Sequence, residues 1–426
     1  MSAALLALAI ASAARSDETF EQPPIDYSHA TPTDAVWQLQ TRLEASHTSL
    51  DFDEKFGYLG SVLKSLKIPI ESQVLVYSQT SLQRQRISPK TPRAVYFSDD
   101  VYVGYCQQGA VIEIAATDPQ LGTVFYTLDQ ERVDKPQFRR QTESCLVCHS
   151  SSRTESVPGL LVRSLFVQRS GQPLLSEGSY SVDYRTPLEQ RWGGWYVTGT
   201  HGSQTHLGNL VVDGNKLPRP IENKAGQNVT SLSDRLHTDS YPTPHSDIVA
   251  LMVLEYQSLV KNRLTHANFT TREALHYQAS MNRALGDPEN TPLESVTHRI
   301  QSAGDSLVDA LLFVDEPALT APIRGTSGFA EQFAKQGPRD RKGRSLRDFD
   351  LEHRMFKYPC SYLIYSDAFR QLPAEVRDYV WQRLRTVLTE TIPSEKFAHL
   401  TATDRQAIVE IICDTVPDLP AIWKDH

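Results

Sequence analysis

The chain lacks most of the features that assign a function at a glance. It has no G-x-G-x-x-G fingerprint, no P-loop and no G-x-S-x-G elbow, so no nucleotide cradle or hydrolase nucleophile is expected from motif. It has no fixed-period repeat and no low-complexity tract. Past the N-terminus, no run approaches the ~18 uncharged apolar residues of a membrane-spanning helix, so no membrane span is expected. Basic charge is not in excess: the net charge of -8 gives no reason to expect nucleic acid or an anionic membrane as partner. Sulfur is scarce, with five cysteines and four methionines, and there is no second C-x-x-C and no H-x-x-x-H. At 40% hydrophobic and 22% charged residues, the composition is that of an ordinary globular protein.

Two of the five cysteines stand together, in Cys145-Leu146-Val147-Cys148-His149. At this chain's own residue frequencies, chance produces the pattern only about 0.002 times. A closed zinc site needs four ligands, commonly a second Cys/His pair at short spacing, and Cys106, Cys360 and Cys413 are isolated. A redox C-x-x-C belongs near a βαβ pattern, and none precedes this one. The chemistry that uses every residue of the motif is covalent haem c. The thiols of Cys145 and Cys148 form thioethers with the haem vinyls, and His149 turns onto the iron as proximal ligand. One covalent haem per chain is expected. Three cysteines remain, so at most one disulfide can form and one thiol stays free.

That chemistry takes place outside the bacterial cytoplasm, and the N-terminus is consistent with export. Residues 3–11 are a short apolar run, Ala11-Ser12-Ala13 is an A-x-A cleavage site, and Arg15-Ser16-Asp17-Glu18 is polar. Residues 1–14 are expected to be a secretory signal, although no Lys or Arg precedes the apolar run. The expected location is periplasmic or otherwise exported.

Element patterns predict an α+β fold. Residues 33–66 carry apolar residues at helical spacing. "SQVLVYS", "RAVYFSDDVYVGYC", "AVIEIAA" and "GTVFYTL" read as three or four strands of a mostly antiparallel sheet. The haem motif follows mid-chain, then a β-like patch "GGWYVTGTHG" and "LGNLVVDG". The C-terminal half reads as largely helical. "SDIVALMVLEYQSLVKNRL" has Ser246 as the expected N-cap, "PAEVRDYVWQRLRTVLTE" has one apolar face, and "TATDRQAIVEIICD" opens with a capping box of Thr401 and Asp404. Residues 20–140 form an expected α+β N-terminal region and 141–426 a haem-binding, cytochrome c-like region. The basic run "KQGPRDRKGRSLRDFDLEHR" reads as an exposed loop.

With C-x-x-C-H on an exported chain, the sequence resembles a c-type cytochrome. The strings "SQTSLQRQRISPKTPRAVYFSDDVYVGY", "RWGGWYVTGTHGSQTHLGN", "PHSDIVALMVLE", "GRSLRDFDL" and "YPCSYLIYS" further resemble a group of large exported single-haem cytochrome c-like proteins of planctomycete-like bacteria. They spread from about residue 70 to the C-terminus. The resemblance implies haem and export, not an activity.

A sixth iron ligand is harder to read. The first methionine after the motif is Met252, far beyond the usual spacing, and Met252 and Met281 suit core packing. Met355 is a lesser candidate. In "THGSQTHLGN", His206 is the candidate sixth ligand and His201 the candidate distal or catalytic residue, flanked by glycines that permit close approach to a flat cofactor. Two exposed loop histidines are the bland alternative, and His245 is a third choice. Haem propionates need cations: Arg153 is the first candidate, with Arg132, Lys135, Arg139 and Arg140 behind it. Trp192 and Trp195 are candidates to wall the pocket. Two function classes follow, beside a plainer third option of a binding module in which the haem is only structural. One is an electron-transferring redox cytochrome with a redox partner protein. The other is a haem-dependent oxidoreductase of peroxidase or oxygenase type.

Overall fold

The computed structural model describes residues 19–392 and 394–423. The expected signal segment, residues 1–14, lies outside them. The fold class is α+β, as the patterns predict. Two N-terminal helices, α1 (Ala35–Glu44) and α2 (Leu59–Ser65), stand where one helical stretch over 33–66 is expected. Irregular backbone separates them, with Ser46 in a left-handed conformation at φ 57°.

Next comes the sheet: β1 (Val74–Val76), β2 (Arg93–Phe97), β3 (Val101–Tyr105), β4 (Val111–Asp118), β5 (Gly122–Asp129) and β6 (Phe138–Arg140). After the one-turn helix α3 (Leu146–His149), β7 (Arg163–Leu165) and β8 (Ser179–Ser181) pair with each other. β9 (Trp195–Tyr196) then returns to β1. The seven-stranded sheet has the order β6-β5-β4-β3-β2-β1-β9, antiparallel throughout. It therefore crosses the expected regional boundary at residue 140. "LGNLVVDG" contributes no strand, only an isolated bridge from Val212 to Gln168.

Both faces of this sheet are covered, which explains its near-continuous apolar runs. Leu75, Ala94, Tyr96 and Val103 join the core beneath α1 and α2. Val74, Val76, Val95, Phe97 and Tyr102 face the other core, with the C-terminal helices. Successive side chains along a strand point to opposite faces, so one short strand serves both cores.

That second core is built on α4 (Ile248–Leu285), 38 residues long and buried on nearly every side through its first three turns. α5 (Glu294–Leu311), α6 (Phe329–Ala334), α7 (Asp367–Arg370), α8 (Ala374–Thr389) and α9 (Ala402–Thr415) complete it. Thr401 and Asp404 form the expected capping box of α9. The N-cap of α4 is Asp247 rather than the expected Ser246. Ser246 Oγ is engaged with the sheet: it donates to the Tyr196 carbonyl (2.6 Å) and accepts from the Leu75 N–H (2.9 Å). The basic run at 335–354 is the expected loop, exposed in part, and ion pairs tie it down. Arg341, Arg344 and Arg354 pair with Asp414, Glu410 and Asp404, and Arg347 is buried against Phe333 and Tyr362 and pairs with Asp99. No helix of the described residues is long and apolar enough to cross a membrane.

Candidate functional site

β6 delivers the chain to the sheet edge, and one turn of helix follows. Leu146 is buried and anchors that turn, while Val147 is 80% exposed and Cys148 is exposed. The His149 N–H donates to the Cys145 carbonyl (3.0 Å), so the first thiol and the imidazole stand one helical turn apart.

The histidine is fixed in two ways. Its Nδ1 hydrogen-bonds the Gly159 carbonyl at 2.9 Å, and its own carbonyl accepts from the Gly159 N–H at 2.8 Å. Its ring lies 4.9 Å from that of Phe125. Gly159 is held in turn. Asn262, buried on α4, accepts from the Leu160 N–H and donates to the Leu160 carbonyl, both at 2.8 Å. Burial holds the pKa of His149 below its ordinary value, against the opposing pull of the Gly159 carbonyl. A neutral imidazole whose Nδ1–H is given to a carbonyl keeps Nε2 as a metal donor, and a metal-ligating histidine is usually oriented this way.

Cys145, Cys148 and His149 line one cavity of about 730 Å³ on the face of the sheet toward α4. That is within the size range of cofactor sites. Val95, Ala115, Phe125, Leu160, Val162 and Trp195 supply apolar wall. Two guanidinium groups meet beside Cys148. Arg163 Nε donates to Ser179 Oγ (3.0 Å), and Arg153 Nη1 reaches the same hydroxyl (3.5 Å). Neither has a carboxylate partner among the described residues. Burial, then the neighbouring Arg153 cation, lowers the pKa of Arg163.

On the cavity floor, Val95, Gly104, Glu113 and Thr127 are successive partners across β2 to β5. Arg93, two residues before Val95, runs across Gly104 to Glu113, with Nη2 2.9 Å from Oε2. Gly104 makes room for it, since a Cβ there would lie 2.1 Å from Arg93 Nη2.

The other sequence candidates are placed elsewhere. His201 and His206 are buried, not exposed loop residues, but neither lines the cavity. Their rings are 4.7 Å apart, and His206 packs on Trp192 at 5.3 Å. Gln227 and Asn223 pin the His206 backbone, so the loop is held in that packing. Burial, then the His201 charge, lowers the pKa of His206 to about 3. Met252 and Met355 are core residues, and neither they nor His245 line the cavity. Trp195 does wall it, while Trp192 lies behind, in contact with His206. Of the other basic candidates, Arg132 pairs with Glu54, Arg139 with Asp129, and Arg140 donates to the Tyr27 and Ala30 carbonyls. Lys135 is exposed.

Sequence reading missed Arg93, Glu113, Gly104, Arg163 and Ser179. A signal for Glu113 and Gly104 was there. A glutamate in "AVIEIAA" and a glycine in "VYVGY" interrupt apolar strands, and glycine inside a strand marks close approach by another group.

Among the described residues no three His, Cys, Asp or Glu side chains converge as a metal site would require. All five cysteines are unpaired. Comparison with family models, curated proteins and solved structures finds no match.

Proposed function

We propose that this chain is an exported c-type haem protein that works in redox chemistry. Cys145 and Cys148 would hold one covalent haem, and His149 Nε2 would donate to its iron. The observation that carries this reading is the tie from His149 Nδ1 to the Gly159 carbonyl, in the same cavity that both thiols line. The residues present fit the group: apolar walls for a flat macrocycle, and Arg163, on the cavity lining without a carboxylate partner, for its propionates, while Arg153 is exposed beside it and off the lining. Bound there, haem supplies one-electron chemistry at iron. The chain's own residues orient the imidazole and wall the cavity with the sheet and α4, and Arg163 would balance anionic charge beside Cys148.

Within that reading, electron transfer to a redox partner and haem-dependent oxidoreduction are separable. One observation favours the second. Among the described residues, the cavity lining contains no imidazole besides His149 and no methionine, so it lacks the donors that usually close the sixth position of a carrier.

The test is expression with a c-type maturation system, followed by a denaturing gel stained for haem. The chain stains, and Cys145→Ser with Cys148→Ser abolishes the stain. A protein exported with zinc and no haem overturns the proposal. Carbon monoxide added to the reduced protein then separates the classes: ready binding supports the oxidoreductase, and none supports the carrier.

A further inference from the structure

A charged pair lies where its neighbours on the cavity floor are Val95, Ala115 and Phe125. Arg93 and Glu113 are only 21% and 15% exposed. Burying an ion pair is seldom the cheapest way to stabilise a sheet, because desolvation offsets most of the attraction. Arg93 is also underused. Its Nε is buried with no partner, and its contact with Glu113 engages one Nη. Glu113 has other support: its Oε1 accepts from Gln83 Nε2 (3.2 Å) and Ser81 Oγ (3.4 Å). The charged residues lining the cavity are Arg84, Arg93, Arg163 and Glu113, three cations to one anion, in a chain of net charge -8.

We infer that Arg93 is an anion-binding group of this cavity, with Glu113 as its resident competitor, and that the cavity admits a small monovalent oxyanion of the carboxylate or nitrite kind. This rests on the cavity being the haem site, because a volume of about 730 Å³ shared with a macrocycle leaves room only for a small molecule. Arg93 offers a fork of N–H groups that matches two oxygens of such an anion. Gly104 keeps the guanidinium flat on the sheet, and Gln83 and Ser81 hold Glu113 when Arg93 turns away. Removing the competing carboxylate therefore strengthens anion binding, and removing the guanidinium eliminates it.

The experiment titrates the haem-loaded protein with formate and follows the Soret band, with carbon monoxide affinity of the reduced form as an uncharged control. Glu113→Gln tightens formate binding about tenfold, the worth of one released charge-assisted contact, and Arg93→Gln reduces it by at least as much. Arg93→Lys retains partial affinity and covers the case in which Arg93→Gln does not fold. Carbon monoxide affinity stays within twofold in every variant. Unchanged formate affinity in Glu113→Gln overturns the inference and leaves the pair as a structural tie. Unmoved formate affinity with a lowered midpoint potential in Arg93→Gln also overturns it, since Arg93 would then serve the cofactor's own carboxylates. If no haem attaches at all, the haem reading has failed. The same titration read through the protein's tryptophan fluorescence, with Trp195→Phe to isolate the part that comes from the cavity wall, then decides the anion site separately: dependence on Arg93 keeps it, and none removes it.

Discussion

Gly104→Ala tests how the cavity floor is built, because its sign depends on Arg93. Inside a strand, replacing glycine by alanine ordinarily stabilises by about 0.5–1 kcal/mol, since glycine loses more backbone freedom on folding. Gly104 is not in the left-handed region, so alanine fits its backbone. What alanine cannot do is share the space. Its Cβ would lie 2.1, 2.5 and 2.6 Å from Nη2, Cζ and Nε of Arg93, and the guanidinium must leave. The 2.9 Å contact with Glu113 is then lost, and a charge-assisted bond of this kind contributes about 1.5–3 kcal/mol. The net effect of Gly104→Ala alone is a loss of about 1–2 kcal/mol. In an Arg93→Gln background the clash and the contact are both gone. There the same change is neutral or stabilises by up to about 0.5–1 kcal/mol. The assay is urea denaturation of the four proteins of this cycle, comparing midpoints where the slope is unchanged. Simple additivity of the two single losses refutes the account, because it means that Gly104 does not seat Arg93.

Asp247→Ala removes the cap of α4, where Oδ1 accepts from Val249 and Ala250, and strands the Thr326 and Ser327 N–H groups that Oδ2 accepts. The expected cost is about 3–5 kcal/mol, and a loss near 1 kcal/mol by urea denaturation means that those donors find other partners. Asn262→Ala leaves the N–H and carbonyl of Leu160 unpaired and loosens the Gly159 support of His149; about 2–4 kcal/mol is expected in the same assay, and an unchanged midpoint counts against that support. Glu255 is fully buried beside Arg191, and burial raises its pKa from 4.5 to about 8. The folded form thus keeps a proton that the unfolded form has released, so stability falls as pH rises from about 4.5 to 8, and Glu255→Gln flattens that slope; an unaltered pH profile contradicts it. In haem-loaded protein, Arg163→Gln lowers the midpoint potential more than Arg132→Gln, whose charge is spent on Glu54, while His206→Ala leaves the visible spectrum unchanged; a high-spin His206→Ala protein brings His206 back as ligand.

Much of the fold was legible because its signals are local. β-Branched and aromatic runs broken by Asp, Gly and Pro give the strands, and Thr401 with Asp404 gives the cap of α9. The short β1 and β9 were harder to weigh, because each gains its stability from a partner far away in sequence: Leu75 pairs with Tyr196. Ser246 and Asp247 are both good caps, and local chemistry cannot rank them. Sheet contacts decided it, drawing the Ser246 hydroxyl to Tyr196 and Leu75.

At the site the same division holds. The spacing of Cys145, Cys148 and His149 is a property of one helical turn, so sequence alone brings the thiols and the imidazole together and limits the chemistry they suit. Glycine-flanked histidines promised a ligand by their composition, yet packing placed His201 and His206 against Trp192, off the cavity that holds the motif. What fills the cavity floor depends on strand register. Gly104 faces Glu113, and Arg93 reaches over it, only because β2, β3 and β4 pair as they do. A slip of one residue in any of those strands would turn these side chains to the opposite face. Register is set by burial on both faces of the sheet, an energy summed over residues distant in sequence, and so only the tertiary structure could decide it.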